Sequence, residues 1–168
     1  SMMFIVYSVF AHPLPNLVTA LLMLDDMTQD NGALMVVPGS HRGEQKSLWQ
    51  KDIFTGEVSA EVAAECEQLA VTVTGRAGDV CLMHAELLHG SKPNQSPMPR
   101  GLYICMYSAA DAFLLQPNSL PNRFEGQIVY GRESRRARLR GGLVDLPETS
   151  HRASFFQLQT ENKRKSQK

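Results

Sequence analysis

The sequence predicts an all-β protein, either an antiparallel barrel or a double-sheet jelly roll. Three observations support this prediction: short apolar runs of strand length recur along the chain, turn-forming residues separate them, and helical character is confined to one short segment. The 168 residues are 43% hydrophobic and 20% charged, which is enough for one domain with a real core and excludes wholesale disorder.

Two apolar segments near the N-terminus are predicted to be buried strands joined by a proline-rich turn. Residues 3–11 and 17–24 are mostly apolar, and Pro13 and Pro15 separate them. A membrane-spanning helix needs about 20 predominantly apolar residues, and no positive charge precedes the first run as a secretory signal requires. We therefore expect no membrane association, while the apolar N-terminus leaves a secretory protein open as an alternative.

Three cysteines lie far apart in the sequence, at positions 66, 81 and 105, with no CxxC pair. Such a sparse, odd number in apolar surroundings is typical of buried reduced thiols and excludes a disulfide scaffold or a zinc ribbon. A reducing compartment follows, so the sequence predicts a cytoplasmic protein.

Strand signals continue along the chain. The turn formers at residues 30–32 lead into a predicted strand at residues 33–37. Residues 42–68 are polar and are predicted to form an insertion loop with one short helix, which begins at Ser59 because Ser is a preferred N-cap and acidic residues follow it. Further strands are predicted at residues 69–74, 80–83 and 102–108, with a turn at residues 75–79.

Charge divides the chain into an acidic body and a basic end. Residues 1–131 carry −6 and residues 132–168 carry +6, so the formal net charge is zero, which argues against a dedicated nucleic-acid binder. The arginine-rich stretch 132–140 is either a solvated end or a contact for an anionic partner. The predicted organisation is a domain at residues 2–115, a peripheral segment at 116–150 and a basic flexible tail at 151–168.

The densest chemical signal is GDVCLMHAELLHGSKPNQSPMPR at residues 78–100. His89 follows one predicted strand and Arg100 opens the next, so we expect an imidazole and a guanidinium on neighbouring antiparallel strands to face one cavity. Neutral imidazole is the commonest metal ligand, and Arg grips a carboxylate with two parallel hydrogen bonds. This combination suits a site that chelates a 2-oxo acid on iron.

This stretch, together with DDMTQDNGALMVVPGSHR at residues 25–42, resembles the phytanoyl-CoA dioxygenase-like family of Fe(II)/2-oxoglutarate oxygenases, over about residues 7–115. The resemblance implies a double-stranded β-helix, which is a jelly-roll or cupin-like fold, with Fe(II) and 2-oxoglutarate as cofactors and hydroxylation of a small-molecule substrate as the activity. It also implies that His89 is the distal iron ligand. Arg100 then pairs with the far carboxylate of 2-oxoglutarate, and Ser91 supports the same carboxylate.

The HxD pair that completes the iron site in this family has no counterpart here. Counting back from YSVFAHPLPN places the pair near Phe4, Ile5 and Val6, where neither His nor Asp occurs, and the family's N-terminal helical region is absent. We therefore expect a jelly roll that is incomplete at its N-terminal side, with exposed sheet edges that favour homo-oligomers. Two functions stay open: an oxygenase impaired in this form, and a non-catalytic binding or regulatory module derived from that fold.

A third alternative takes the metal ligands from within the dense segment itself. His84 and Glu86 have HxE spacing, so with His89 they would supply two imidazoles and a carboxylate in a cupin-like site. One local turn would then have to wrap the metal. The competing interpretation makes His84 a strand-end residue beside the cavity.

The remaining polar residues of the motifs have structural interpretations. His41 in the PGSH sequence is expected to satisfy backbone groups of its turn, and His12 to contact solvent or a carbonyl near the substrate entrance. Asn31 and the following glycine are predicted to set a turn, while Asp25 and Asp26 are predicted to cap or anchor loops.

Overall fold

The computed structural model describes residues 17–44, 46–112 and 122–135, and the backbone alone of residues 3–5. The predictions for His12, for the turn at Pro13 and Pro15 and for the tail at 151–168 lie outside these ranges, as does most of the segment 116–150. The elements within them are β1 Met3–Ile5, β2 Leu17–Met23, β3 Leu34–Val36, β4 Trp49–Gln50, β5 Ile53–Phe54, α1 Ala60–Leu69, β6 Val71–Thr72, β7 Val80–His84, β8 His89–Ser91 and β9 Leu102–Ser108.

The strands form two antiparallel sheets that share an interior. One sheet has four strands in the order β1-β8-β3-β6, the other has three in the order β7-β2-β9, and β4 and β5 form a separate hairpin. Residues from both sheets meet in one buried group, the inter-sheet cluster, made of Leu21, Met23, Met27, Ala33, Leu34 and Met83. The predicted all-β fold is confirmed, with the architecture of a double-stranded β-helix.

The central strand β2 shows why the sequence folds this way. Its residues alternate between buried and more exposed positions, with Leu17, Thr19, Leu21 and Met23 buried on the face toward the other sheet. A period of two is what a strand with one face on a core requires. Both flanking strands pair with β2 along its length, so β2 is the best-anchored strand of its sheet.

The two strands on either side of the turn at residues 30–32 do not pair with each other. β2 lies in the three-stranded sheet and β3 in the four-stranded sheet, so this connection crosses between sheets. Gly32 has φ 78°, and a Cβ there would lie 3.0 Å from the Lys92 carbonyl oxygen. The predicted turn is confirmed, and it needs glycine both for its backbone conformation and for the close approach of the neighbouring loop.

The insertion at residues 42–68 contains the predicted helix and a hairpin that sequence reasoning missed. The Ser59 hydroxyl accepts a hydrogen bond from the Val62 backbone N–H at 3.4 Å, which confirms the predicted start of α1. Between β4 and β5, Lys51 and Asp52 adopt φ 48° and 60°, the left-handed conformations of a tight two-residue hairpin turn.

The predicted strand at residues 69–74 is shorter than expected and starts later. α1 continues to Leu69, where the Ala70 backbone N–H still donates to the Cys66 carbonyl at 2.9 Å, and β6 covers only Val71–Thr72. This hydrogen bond keeps residue 69 in the last turn of the helix, although the β-branched residues that follow favour a strand. The turn at residues 75–79 is confirmed by the hydrogen bond from the Asp79 N–H to the Arg76 carbonyl at 3.0 Å.

The helix packs over a second apolar group, the helix-side cluster. Its buried members come from α1, the hairpin and the loops near β3 and β8: Val37, Leu48, Phe54, Val58, Cys66 and Leu88. The Trp49 ring meets the Phe54 ring edge-on, with centroids 5.4 Å apart. All three cysteines are free thiols, as predicted, but only Cys66 is buried, whereas Cys81 and Cys105 are partly exposed. Burial raises the pKa of Cys66 and Cys81.

The outer face of the three-stranded sheet is apolar and exposed. Val18, Leu82, Tyr103 and Tyr107 all present large exposed side chains there. In the part of the chain that the structure describes, no helix combines the length and apolar character needed to cross a membrane.

Candidate functional site

His89 lies on β8 and is 6% exposed. Its Nδ1 is 2.7 Å from the Leu87 carbonyl oxygen, and because a carbonyl only accepts, this contact requires the proton on Nδ1. A neutral ring then carries its lone pair on Nε2, the arrangement found in metal-ligating histidines whose other nitrogen is held by a backbone carbonyl. Burial lowers the pKa of His89 and outweighs the opposing effect of the carbonyl bond, so the neutral ring is favoured.

The register of β8 directs His89 and Ser91 into the interior. His89 pairs with Val36 and Ser91 with Leu34 on the neighbouring strand β3. Side chains of directly paired residues lie on the same face of an antiparallel sheet, and Leu34 is a member of the inter-sheet cluster while Val36 packs against it. His89 and Ser91 therefore face the space between the two sheets.

Arg100 approaches the same interior from the opposite sheet. It stands two residues before Leu102, which packs against the inter-sheet cluster, and the bond from the Leu24 N–H to the Gly101 carbonyl at 3.0 Å extends the ladder toward it. Alternation then puts Arg100 on the inner face. Its Nε is buried and has no hydrogen-bond partner among the residues that the structure describes. A buried guanidinium N–H without an acceptor is unfavourable and suggests a site built for an anion.

The prediction that His89 and Arg100 lie on neighbouring antiparallel strands is wrong. His89 belongs to the four-stranded sheet and Arg100 leads into β9 of the three-stranded sheet, so they stand on opposite walls of one interior. The reason is the connection between them, where Pro93, Pro97 and Pro99 remove backbone donors that a hairpin would use. The chain therefore crosses between the sheets.

The backbone around Arg100 is held on both sides by side chains from the loop after β2. The Asn31 amide donates to the Pro99 carbonyl at 3.1 Å, and the Gly101 N–H donates to Asp25 Oδ2 at 2.7 Å. A Cβ at position 101 would lie 2.9 Å from that carboxylate oxygen, so glycine is required for the contact. Asn31 is 1% exposed.

The predicted roles of these residues were local, and the structure adds a long-range one. Asn31 also accepts from the Thr28 N–H at 2.9 Å and donates to the Asp26 carbonyl at 2.7 Å, which fits the predicted turn. Asp26 accepts from the Ala77 N–H at 2.8 Å and so anchors a loop as predicted. The contacts to the residues flanking Arg100 span 68 and 76 positions, and no local pattern signals them.

Thr19 is the polar residue that sequence reasoning missed. It lies on the inner face of β2, and its Oγ1 is buried without a hydrogen-bond partner in the described ranges. The only sequence signal is a hydroxyl within an otherwise apolar strand.

The alternative site built from His84, Glu86 and His89 is wrong. Within residues 17–44, 46–112 and 122–135, no three His, Cys, Asp or Glu side chains come together in a way that holds a metal ion. The Glu86 backbone N–H donates to His84 Nδ1 at 3.1 Å, and His84 pairs with the exposed Val18, on the face away from the interior.

His41 is predicted to hydrogen-bond backbone groups of its turn through its ring, but Nδ1 makes no such bond in the described part of the chain. That atom is buried and has no hydrogen-bond partner among the described residues. The ring packs instead against His84, with centroids 5.0 Å apart. The neighbouring Ser40 makes the backbone contact, accepting from the Leu88 N–H at 2.9 Å.

The first strand runs beside His89. β1 pairs with β8 so that Ile5 stands opposite His89, and Phe4 opposite Gly90. This is the segment where the family resemblance expects the HxD pair, and neither Phe nor Ile carries a metal-ligating atom. A facial Fe(II) site needs two His and a carboxylate, and among the described residues no three His, Cys, Asp or Glu side chains form such a group around His89, so these residues do not fit the iron. The inner-facing Arg100, whose Nε has no partner in the described ranges, does fit a carboxylate.

The fold and this interior define a double-stranded β-helix that presents imidazole, guanidinium and hydroxyl groups between its sheets. Residues 5–102 match the phytanoyl-CoA dioxygenase (PhyH) family. The match covers more than half of the chain, and the chain belongs to this family.

Individual relatives agree with this assignment. The chain is 32% identical over 149 residues to a probable alpha-ketoglutarate-dependent hypophosphite dioxygenase of Stutzerimonas stutzeri, covering 85% of this chain and 50% of that protein. It is 31% identical to an ectoine dioxygenase of Nocardia farcinica, covering 65% of this chain and 41% of that protein. The chain thus spans about half or less of the length of the curated relatives it matches.

A solved structure shows the same architecture. EctD from S. alaskensis, solved with 2-oxoglutarate and 5-hydroxyectoine, superposes with a TM-score of 0.59 at 26% identity, covering 82% of this chain and 49% of that one. EctD has also been solved with bound Fe. Fe(II) and 2-oxoglutarate are the cofactors of this family.

Proposed function

We propose that this chain binds 2-oxoglutarate between its two sheets, as the co-substrate of an Fe(II)/2-oxoglutarate-dependent dioxygenase of the phytanoyl-CoA dioxygenase type. The observation that carries the proposal is the buried Nε of Arg100, which has no hydrogen-bond partner in the part of the chain that the structure describes and lies on the wall opposite the sheet of His89. A guanidinium offers a carboxylate two parallel hydrogen bonds, which a buried anionic ligand needs.

The roles of the individual residues follow from their positions. Arg100 pairs with the far carboxylate of 2-oxoglutarate, and Asn31 and Asp25 hold its backbone in place. Ser91, half-buried on the same face as His89, donates its hydroxyl to the same carboxylate. His89 would contribute one ligand to a metal ion through Nε2, because Nδ1 is committed to the Leu87 carbonyl, but the described residues do not supply the other ligands.

A second candidate function is a non-catalytic module that binds the 2-oxo acid without turning it over. It is favoured by the position of Ile5 opposite His89 and by the absence of a three-ligand group in the described part of the chain. The described residues do not fit Fe(II), which is consistent with binding that does not lead to turnover.

The experiment that tests binding is calorimetric titration of 2-oxoglutarate into the wild type and Arg100→Ala. A charge-assisted hydrogen bond contributes about 1.5–3 kcal/mol, so we expect the variant to lose at least about tenfold in affinity. Arg76→Ala, at an exposed turn, is the matched control and keeps wild-type affinity. Equal affinity of wild type and Arg100→Ala would contradict the proposed role.

Iron content and succinate formation separate the two functions. Stoichiometric iron with 2-oxoglutarate-dependent succinate supports the oxygenase, whereas 2-oxoglutarate binding without metal or succinate supports the non-catalytic module. The relatives are named for hypophosphite and ectoine, both small polar molecules, and we propose a small-molecule substrate for this chain as well.

We also propose self-association through the three-stranded sheet. Among the described strands, β7 and β9 lie at the edges of this sheet and carry the exposed Leu82 and Tyr103, and exposed apolar edges favour contact with a second copy. Light scattering after size exclusion tests this: a mass that stays monomeric at all concentrations would contradict it.

A further inference from the structure

We propose that the hydroxyl of Thr19 is a second anchor for the 2-oxo acid, contacting its oxo-carboxylate end while Arg100 takes the other carboxylate. The inference rests on the proposed function and extends it to a residue outside the motifs at residues 25–42 and 78–100. It follows from the direction, the burial and the missing partner of this side chain.

The direction of Thr19 is fixed by its place in the three-stranded sheet. It pairs with Met83 on β7 and with Met106 on β9. Met83 belongs to the inter-sheet cluster together with Leu34, whose face of the opposite sheet also carries Ser91 and His89. Thr19 therefore faces the same interior as His89.

The missing partner is the unusual feature. Thr19 is 3% exposed, and within the described ranges its Oγ1 has no hydrogen-bond partner. Its sheet neighbours Met83 and Met106 offer only apolar and thioether surface. Leaving a buried hydroxyl unsatisfied is unfavourable, so such groups call for an explanation by a ligand or a functional role.

Thr55 provides the comparison within the same molecule. It is also 3% exposed, but its hydroxyl donates to carbonyl oxygens, with Leu48 and Glu57 both at 3.1 Å, and accepts from the Glu57 N–H at 3.4 Å. The fold therefore satisfies a buried threonine where the role is structural. Thr19 has the same side chain and the same burial as Thr55, but it has no such hydrogen-bond partners among the described residues.

The separation of Thr19 and Arg100 suits two ends of one ligand. Thr19 pairs with Met106, six positions beyond Arg100 along β9 and the segment leading into it. At about 3.4 Å per residue this is roughly 20 Å of backbone. To bridge this distance, the Arg100 side chain and an extended five-carbon dicarboxylate would run along the inner face past Leu21 and Met23. A Thr hydroxyl donates to an oxo or carboxylate oxygen, so it suits the end that Arg100 does not bind.

The decisive comparison is Thr19→Val against Thr55→Val, because valine keeps the shape and removes the hydroxyl. We expect Thr19→Val to weaken 2-oxoglutarate binding by about fivefold to tenfold, the size of one hydrogen bond, with an unchanged or higher urea midpoint. Thr55→Val should lower the midpoint, because it leaves backbone groups unpaired, and keep wild-type affinity in the folded protein.

A second ligand locates the contact. In 2-oxopentanoate a methyl group replaces the far carboxylate while the oxo-carboxylate end is kept, and its affinity is measured by competition with 2-oxoglutarate. We expect Thr19→Val to weaken it by the same factor as 2-oxoglutarate, and Arg100→Ala to leave it unchanged.

The outcomes separate this inference from the proposed function. Wild-type affinity in Thr19→Val, combined with a loss in Arg100→Ala, overturns the Thr19 contact and leaves the 2-oxoglutarate site standing. A urea midpoint lowered as in Thr55→Val means that the hydroxyl has a structural partner and also overturns the contact. No binding by the wild type overturns the proposed function, and this inference falls with it.

Discussion

The helix-side cluster and the inter-sheet cluster are both buried, but the buried polar groups beside them differ in hydrogen bonding. Around Phe54 and Leu48, the buried hydroxyl of Thr55 is fully hydrogen-bonded. Between the sheets, Thr19 Oγ1 and Arg100 Nε are buried without partners among the described residues. Because unsatisfied buried groups are unfavourable in a folded protein, the first region serves stability and the second is shaped for a ligand.

Other polar groups in the inter-sheet region are well hydrogen-bonded. Asn31 makes three hydrogen bonds there, two within its own turn and one to the Pro99 carbonyl, and Asp25 accepts a short one from the Gly101 N–H, so the backbone is held on both sides of Arg100. The backbone around Arg100 is therefore hydrogen-bonded, while the Nε of its side chain has no partner among the residues that the structure describes. Substitutions in the two regions should accordingly separate stability from binding.

The largest expected effect is in the helix-side cluster. Phe54 is 2% exposed, and Phe54→Ala should lower the free energy of unfolding by about 3–5 kcal/mol, through lost burial and the cavity left behind. Urea denaturation measures this. Phe124→Ala, at an exposed ring, is the control and should cost less than about 1 kcal/mol. A changed 2-oxoglutarate affinity of folded Phe54→Ala would contradict the claim that the helix-side cluster serves stability and not binding.

An intermediate effect is expected where structure and binding meet. Asn31→Ala leaves the Thr28 N–H and the Pro99 carbonyl without their side-chain partner, so it should lower the free energy of unfolding by about 1–3 kcal/mol. Because the backbone before Arg100 is released, 2-oxoglutarate affinity should also fall. Asn94→Ala, in the exposed part of the same connection, is the control. Wild-type affinity in folded Asn31→Ala would show that this contact does not position Arg100.

The smallest effect is a pH dependence of stability from His89. Burial lowers the pKa of this ring in the folded state below its ordinary value of 6.5. As pH falls through about 6.5 the unfolded chain takes up a proton that the folded chain does not, so unfolding is favoured. The contribution of His89 to stability is thus complete above about pH 6.5 and declines below it, until the folded-state pKa is reached.

Urea denaturation of the wild type and His89→Gln between about pH 5 and pH 8 measures this contribution. Glutamine does not titrate, so the variant should lose less stability on acidification than the wild type. Parallel pH profiles for the two proteins would mean that the His89 ring titrates alike in the folded and unfolded chains.

Much of the fold could be predicted from the sequence because its signals are local. A short apolar run with polar flanks identified β2, although as a buried strand and not as the alternating one observed, the N-cap at Ser59 identified the start of α1, and the Asn-Gly pair identified a turn. Two short strands, β4 and β8, gave too few residues for a pattern. The motif residues His89, Ser91 and Arg100 were found by their resemblance to a family, and their roles stay predictions.

By itself, the sequence determined most of the strands and turns, the helix start and the family, since each depends on neighbouring residues or a contiguous motif. Only the tertiary structure decided that His89 and Arg100 belong to opposite sheets, that Asn31 and Asp25 hold the backbone around Arg100, and that Thr19 Oγ1 has no partner among the described residues. The physical reason is distance along the chain: the deciding contacts join residues 68 and 76 positions apart, and long-range packing alone determines which buried polar groups find a partner.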